Sequence, residues 1–275
     1  HLIPKNIVSR LTGKLAKVEQ PYLVQILINL FIKIYDIDMS EVAEPDVHKY
    51  RTFNAFFTRA LTEDIRTIAD GSVMVSPADG TVSQIGAIDK TSILQAKGID
   101  YDLNHLFDGD VNLASLFVDG TFVTIYIAPR DYHRVHLPLA GQAKFLRYVP
   151  GTLFSVDRTT TRQYPRLYCT NERVIAVFEA ASGEWFSVIM IAAMNVGDIQ
   201  LIRPMAFRNR PLPNYAPFST HVLDMPSFQK GGEFGRFNLG STVIVTASPG
   251  LVEWHNSIGC GSAVKIGQAL GAIHP

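Results

Sequence analysis

Apolar residues Ile3, Ile7, Leu11, Leu15 and Val18 recur at helical spacing, with Lys5, Arg10, Lys14 and Lys17 between them. This pattern predicts a basic amphipathic helix. Pro21 then opens a second helix, Tyr22 to Tyr35. It is apolar nearly all round, except for Gln25, Asn29 and Lys33 spaced along one stripe. A spanning helix needs roughly 20 apolar residues, and the run from Pro21 to Lys33 is shorter and carries two amides. Two readings stand side by side: a helical hairpin packed on its own core or on a second subunit, and an interfacial anchor at headgroup level. A third helix is expected after Asp46 as N-cap, with Tyr50, Phe53, Phe56, Phe57 and Leu61 on its buried face.

From Ser72 onward the period changes. Short β-branched and aromatic runs alternate with turn signals. The expected strands are Ser72–Val75, Gly80–Ile85, Thr121–Ile127, Ala143–Tyr148, Val174–Phe178, Phe186–Ile191, Ile199–Ile202 and Thr242–Thr246. Asp-Gly at 79–80, 108–109 and 119–120 and Ser-Gly at 182–183 supply turn chemistry. Such strands without long helices between them predict a largely antiparallel sandwich or barrel-like body. The fold class is therefore α+β: a short helical region, residues 1–66, on a β-rich catalytic body, residues 67–275. Pro204–Pro226 holds five prolines and reads as an irregular loop.

Composition narrows the classes. Lys+Arg and Asp+Glu are equal at 25 each, so there is no general electrostatic case for nucleic acid. Cys169 and Cys260 make neither a disulfide framework nor a zinc site and read as incidental core thiols. No metal is expected, because the His133/His136 pair has no third ligand nearby in sequence.

Three short segments could carry chemistry. Ser76-Pro77-Ala78-Asp79-Gly80 reads alone as a turn after a strand. Pro129-Arg130-Asp131-Tyr132-His133-Arg134-Val135-His136 follows an apolar strand. Two histidines there suit acid–base work near neutral pH, although a surface turn is the plainer reading. Phe237-Asn238-Leu239-Gly240-Ser241-Thr242 enters another hydrophobic strand. Alone it is a hairpin or bulge. A serine directly after glycine nevertheless has a chemical option: its Oγ can attack the preceding carbonyl, and glycine lets the backbone approach closely. The resulting ester can eliminate to dehydroalanine, which hydrolyses to a pyruvoyl N-terminus. That attack needs a base, and the base an orienting group. Asp79, His136 and Ser241 are compatible with a triad, which geometry and not chain order defines.

These segments resemble the phosphatidylserine decarboxylase family. The matching stretches are Ser-Pro-Ala-Asp-Gly at 76–80, Tyr-His-Arg-Val-His at 132–136, Val-Pro-Gly-Thr-Leu-Phe-Ser-Val at 149–156, Asn-Glu-Arg-Val at 171–174 and Leu-Gly-Ser-Thr at 239–242. The resemblance implies self-cleavage between Gly240 and Ser241 into a large β chain, 1–240, and a small α chain, 241–275. Ser241 becomes the pyruvoyl cofactor, which takes the substrate amine as a Schiff base. Asp79, His136 and Ser241 act as a triad for the cut, His133 serves the decarboxylation, and Ser155 is a candidate for holding substrate. The implied partners are phosphatidylserine in a bilayer and the membrane surface. The expected assembly is a homodimer, peripheral on the cytoplasmic face of the membrane. Pro204–Pro226 departs from the family pattern, so no binding residue is carried there.

Three rivals stand beside this reading. A β-rich membrane-binding protein without activity explains the helices and strands but not the Gly-Ser-Thr beside an Asp and a His pair. A serine hydrolase would use the same three residues, yet Ser241 lacks a Gly-x-Ser-x-Gly elbow. A pyruvoyl decarboxylase acting on a free amino acid would have no need of the greasy, basic N-terminus.

Overall fold

The computed structural model of the chain describes residues 16–193, 199–202, 218–221, 227–238 and 241–274, with the backbone alone at 218–221. The first expected helix, most of Pro204–Pro226, and Leu239 and Gly240 lie outside the described residues.

Helix α1 spans Pro21–Tyr35. Pro21 fits the first turn, where its missing N–H costs nothing. The Gln20 side chain accepts from the Leu23 amide, and Asp36 closes the helix in a left-handed conformation. Val24 and Ile28 face inward and join Ile37 and Phe56 in a small cluster of their own. The single third helix expected after Asp46 is instead two pieces. Asp46 caps only the 3₁₀ turn Val47–Lys49, and Thr52 caps a separate short helix, α2, Phe53–Phe57. An N-cap residue has extended backbone angles, so a cap at Thr52 interrupts any helix running through it.

The body is built from β1 (Val73–Val75), β2 (Gly80–Ala87), β3 (Ser92–Ala96), β4 (Ile99–Asp102), β5 (Thr121–Ile127) and β6 (Arg134–His136). It continues with β7 (Gly141–Val149), β8 (Arg173–Glu179), β9 (Trp185–Ala192), β10 (Ile199–Leu201), β11 (Phe218–His221) and β12 (Ser227–Phe228). The last strands are β13 (Glu233–Phe237), β14 (Ser241–Ala247), β15 (Val252–Trp254), β16 (Ala263–Val264) and β17 (Ala269–Ile273). Short helices α3 (Leu103–Leu106), α4 (Val111–Ser115), α5 (Arg158–Gln163) and α6 (Leu167–Thr170) break the run.

One large antiparallel sheet runs β11-β7-β8-β9-β14-β5-β2-β16, with β12 also on β7. It is open, so the expectation resolves to layered sheets and not to a closed barrel. One face packs on two three-stranded sheets, β10-β13-β6 and β1-β17-β15, through residues such as Val243, Val245, Ile125, Val135 and Phe237. The other face packs on α3, α4, α6 and the β3-β4 hairpin through Ile244, Ile189, Leu106 and Tyr168. The large sheet is thus covered on both sides. That explains why β8, β9 and β14 read as nearly unbroken apolar runs rather than alternations. Every residue of β14 is buried.

Asp79-Gly80 is not a free turn. Gly80 begins β2, and a Cβ there would collide with the Tyr126 carbonyl on β5. The glycine is required by close approach between strands.

Candidate active site

Ser241 opens β14, flanked by Ile127 of β5 and Ala192 of β9. It shares the sheet face of Val243 and Val245 by the two-residue period. The side chain is fully buried, and its Oγ has no hydrogen-bond partner among the described residues. A buried hydroxyl without a partner is costly, and such an exception calls for a functional or structural explanation.

The His-x-x-His segment starts just after β5 ends. Asp131 caps the turn by accepting from the Ala128 amide at 2.8 Å. His133 is fully buried and stacks on Phe57 of α2, ring centres 3.9 Å apart. Its carbonyl accepts from the Phe237 amide at 2.9 Å, which ties it to the strand leading toward Ser241. Nε2 lies 3.3 Å from the Pro129 carbonyl, while Nδ1 has no partner. Burial, and then the charge of Arg59, push its pKa down to about 3, so this imidazole is neutral at pH 7.

His136 lies in β6 beside Val135, which faces the core. Neighbouring strand residues point to opposite sides, and His136 is only half-buried. Its Nδ1 is 2.8 Å from the Gly231 carbonyl. That contact requires Nδ1 to carry the proton and leaves the lone pair on Nε2, 3.4 Å from the Tyr132 hydroxyl. Burial also lowers the His136 pKa.

Asp79 is buried and heavily engaged. Its carboxylate accepts from Arg66 Nη2 at 2.6 Å, from the Ile266 amide at 2.8 Å and from Lys265 Nζ at 3.3 Å. Arg66 reaches on to Glu41. Among the described residues no hydrogen bond joins Asp79, His136 and Ser241. The group that orients His136 is the Gly231 carbonyl, and Asp79 is held by two cations and an amide. The triad expected from the sequence is therefore not assembled as a hydrogen-bonded relay in this structure.

Ser155 donates to Asp157 at 2.5 Å, and Asp157 caps α5. The hydroxyl is thus part of a capping turn. The same loop is joined to the centre by a residue that the sequence reading gave no role. Buried Asn171 donates to the carbonyls of Ala192 and Phe154, both at 2.9 Å, and accepts from the Phe154 amide at 3.1 Å. Ala192 is the register partner of Ser241. Gly151 sits so close to this segment that a Cβ would meet the Asn171 backbone at 2.5 Å. Arg66, Arg59 and Gly231 were likewise not singled out. An isolated arginine or glycine carries no local signal of a contact made across the chain. Among the described residues no group of His, Cys, Asp and Glu is arranged to hold a metal.

Fold and site together define an α+β protein with a buried serine and two imidazoles held where a large sheet meets a smaller one. The comparisons take this further. A family model described as phosphatidylserine decarboxylase matches residues 53–272, and a second, described as PSD, matches 1–36. A phosphatidylserine decarboxylase proenzyme of Alcanivorax borkumensis is 42% identical over 275 residues, covering 99% of this chain and 94% of its own. Its counterpart in Klebsiella pneumoniae is 42% identical over 274 residues, covering 98% and 85%. That of Pseudomonas fluorescens is 40% identical over 278 residues, covering 98% and 94%. The chain belongs to the phosphatidylserine decarboxylase family.

Proposed function

We propose that the chain cuts itself between Gly240 and Ser241 and then decarboxylates phosphatidylserine to phosphatidylethanolamine. The observation that carries this reading is the buried, unpartnered Oγ of Ser241 at the head of a central strand. In the cut, Oγ attacks the Gly240 carbonyl carbon as a base takes its proton. The C–N bond breaks, the nitrogen gains a proton, and an ester forms. Loss of the Ser241 α-proton expels the Gly240 carboxylate and leaves dehydroalanine. Its imine tautomer takes up water and releases ammonia, giving the ketone.

His136 is the proposed base, since the contact to Gly231 puts the proton on Nδ1 and leaves the lone pair on Nε2, whose neighbour is the Tyr132 hydroxyl at a long 3.4 Å. Asp79, fixed by Arg66, Lys265 and the Ile266 amide, contributes negative charge to that neighbourhood.

The residues present fit a pyruvoyl group at 241. The position is sealed from solvent, and among the described residues no hydrogen bond is lost when the hydroxyl is replaced. When present, the ketone supplies the electron sink for the carbanion left by loss of CO₂. His133 is proposed to shuttle the proton to Cα: its Nδ1, unpartnered and buried among the described residues, would first take up the proton shed by the substrate amine and then return it. The Asn171 bridge sets the Ser155 loop beside the strand that flanks Ser241, which supports Ser155 as a substrate-positioning candidate.

The membrane belongs to the same proposal. Tyr22, Ile26, Leu30 and Ile34 stand four apart on α1 and are 72, 45, 52 and 62% exposed. Among the described residues no helix is long and apolar enough to cross a bilayer. The stripe therefore suits a helix lying in the interface, with residues 1–66 as the docking part and 67–275 as the catalytic part. Placement on the cytoplasmic face and a homodimeric assembly come from the family resemblance.

Intact mass with and without hydroxylamine tests the cut and the ketone together. Two chains, the smaller reacting as a ketone, are expected. One uncut 30.4 kDa chain with no carbonyl would sink the proposal. Ser241→Ala, His136→Ala and Asp79→Ala should stay uncut on a denaturing gel. His133→Ala should be cut yet release no CO₂.

A further inference from the structure

Among the described residues, Arg59 is less well supplied with acceptors than the other arginines held deep in the fold. Arg173 donates to four carbonyls, those of Leu106, Cys169, Asn171 and His105. Arg66 is bracketed by Asp79 and Glu41. Arg59, just after α2, is only 5% exposed. Its Nη2 reaches the Arg130 carbonyl at 3.2 Å, and its Cζ lies 5.2 Å from the centre of the Phe56 ring. Nε and Nη1 are sealed from solvent and have no acceptor among the described residues. A guanidinium keeps its charge in proteins, yet among the described residues no carboxylate forms an ion pair with Arg59, and Asp131 and Glu41 act on it only through space. The side chain is built to receive an anion that the protein does not supply.

Its position says which anion. Arg59 lines a cleft of about 160 Å³ in which three cations, Arg59, Arg130 and Lys265, face five carboxylates, Glu41, Asp79 and Asp131 among them. The carboxylates on that wall disfavour a simple anion. They suit a headgroup that also carries an ammonium. His133 does not line this cleft, but its ring stacks on Phe57, two residues before Arg59.

We propose that Arg59 binds an anionic group of the aminophospholipid headgroup, its carboxylate or its phosphodiester. This rests on the decarboxylase reading above.

The test uses self-processed enzyme in mixed micelles. Arg59→Gln should raise KM for phosphatidylserine about tenfold or more, the order expected for losing a charge-assisted contact. Arg59→Lys should restore part of it. Inhibition by phosphatidylethanolamine, which keeps the phosphodiester but lacks the carboxylate, separates the two sources. Equal weakening assigns Arg59 to the phosphodiester, and unchanged inhibition assigns it to the carboxylate. An unaltered KM in Arg59→Gln overturns the proposal.

Should Arg59→Gln fail to process, the unsubstituted enzyme answers. The Nε–H resonance of Arg59, assigned by its loss in Arg59→Lys, should shift on adding glycerophosphoserine. No shift, or an equal shift with inorganic phosphate, overturns the headgroup assignment. If the unsubstituted enzyme forms no ketone and releases no CO₂, the decarboxylase reading itself fails. With active enzyme, only Arg59 is judged.

Discussion

His133 shows how one buried side chain links stability to chemistry. Its pKa of about 3 lies below the ordinary 6.5, with burial the larger cause and Arg59 the next. Between those values the unfolded chain binds a proton that the folded chain refuses. Stability therefore rises with pH across that window and is lost as the pH falls through it, by at most about 1.4 kcal/mol per pH unit for one such group. Urea unfolding at pH 7 and pH 5 should show a smaller difference in His133→Gln than in the unsubstituted chain. Equal pH dependence would mean that His133 is not the group resisting protonation. The histidine pair was legible as an acid–base candidate, but its geometry was not. β6 begins at Arg134, so His136 obeys the strand period while His133 sits in the preceding turn. Nor could the sequence show that Asp79 is taken by Arg66 and Lys265, because those contacts span 13 and 186 positions.

At the scale of elements, every strand expected from the β-branched runs is present, because two-sided burial writes itself into sequence as continuous apolar runs. The four short helices of the body escaped notice. They are four to six residues long, too short to establish a helical period. Three of them do carry an aspartate N-cap, Asp102, Asp110 and Asp157, which was the available clue. Helix α1 was legible in place and length, and its outward stripe leads to a prediction. Burying a leucine side chain is worth about 1.5–3 kcal/mol. Leu30→Glu should therefore weaken co-sedimentation with anionic liposomes by about tenfold or more, while self-cleavage proceeds. Unchanged binding would return the stripe to a packing role.

Across the whole molecule, the segment after Ser241 is woven into the structure and not appended to it. β14 lies between β5 and β9, β16 pairs with β2, and β17 pairs with β1 and β15. Asp79 adds an ion pair to Lys265 and a bond to the Ile266 amide. Cutting before Ser241 should leave both chains together. A native mass equal to that of the uncut chain is expected, with only the small gain from exchanging ammonia for water, and separation only under denaturant. Release of the small chain in native buffer would contradict the strand order described here.

The seven-residue strand that starts at Ser241 has a further consequence for the order of events in the cell. A strand enclosed on both edges and both faces is hard to insert as a loose peptide. If the bond broke first, two fragments would have to find each other, and yield would depend on their concentration. While the bond is whole, the search is intramolecular. Chemistry that waits for the serine to be walled in therefore acts as an inspection step. On the proposed cut, copies that misfold would acquire no reactive carbonyl, and those that did would already have passed the assembly test.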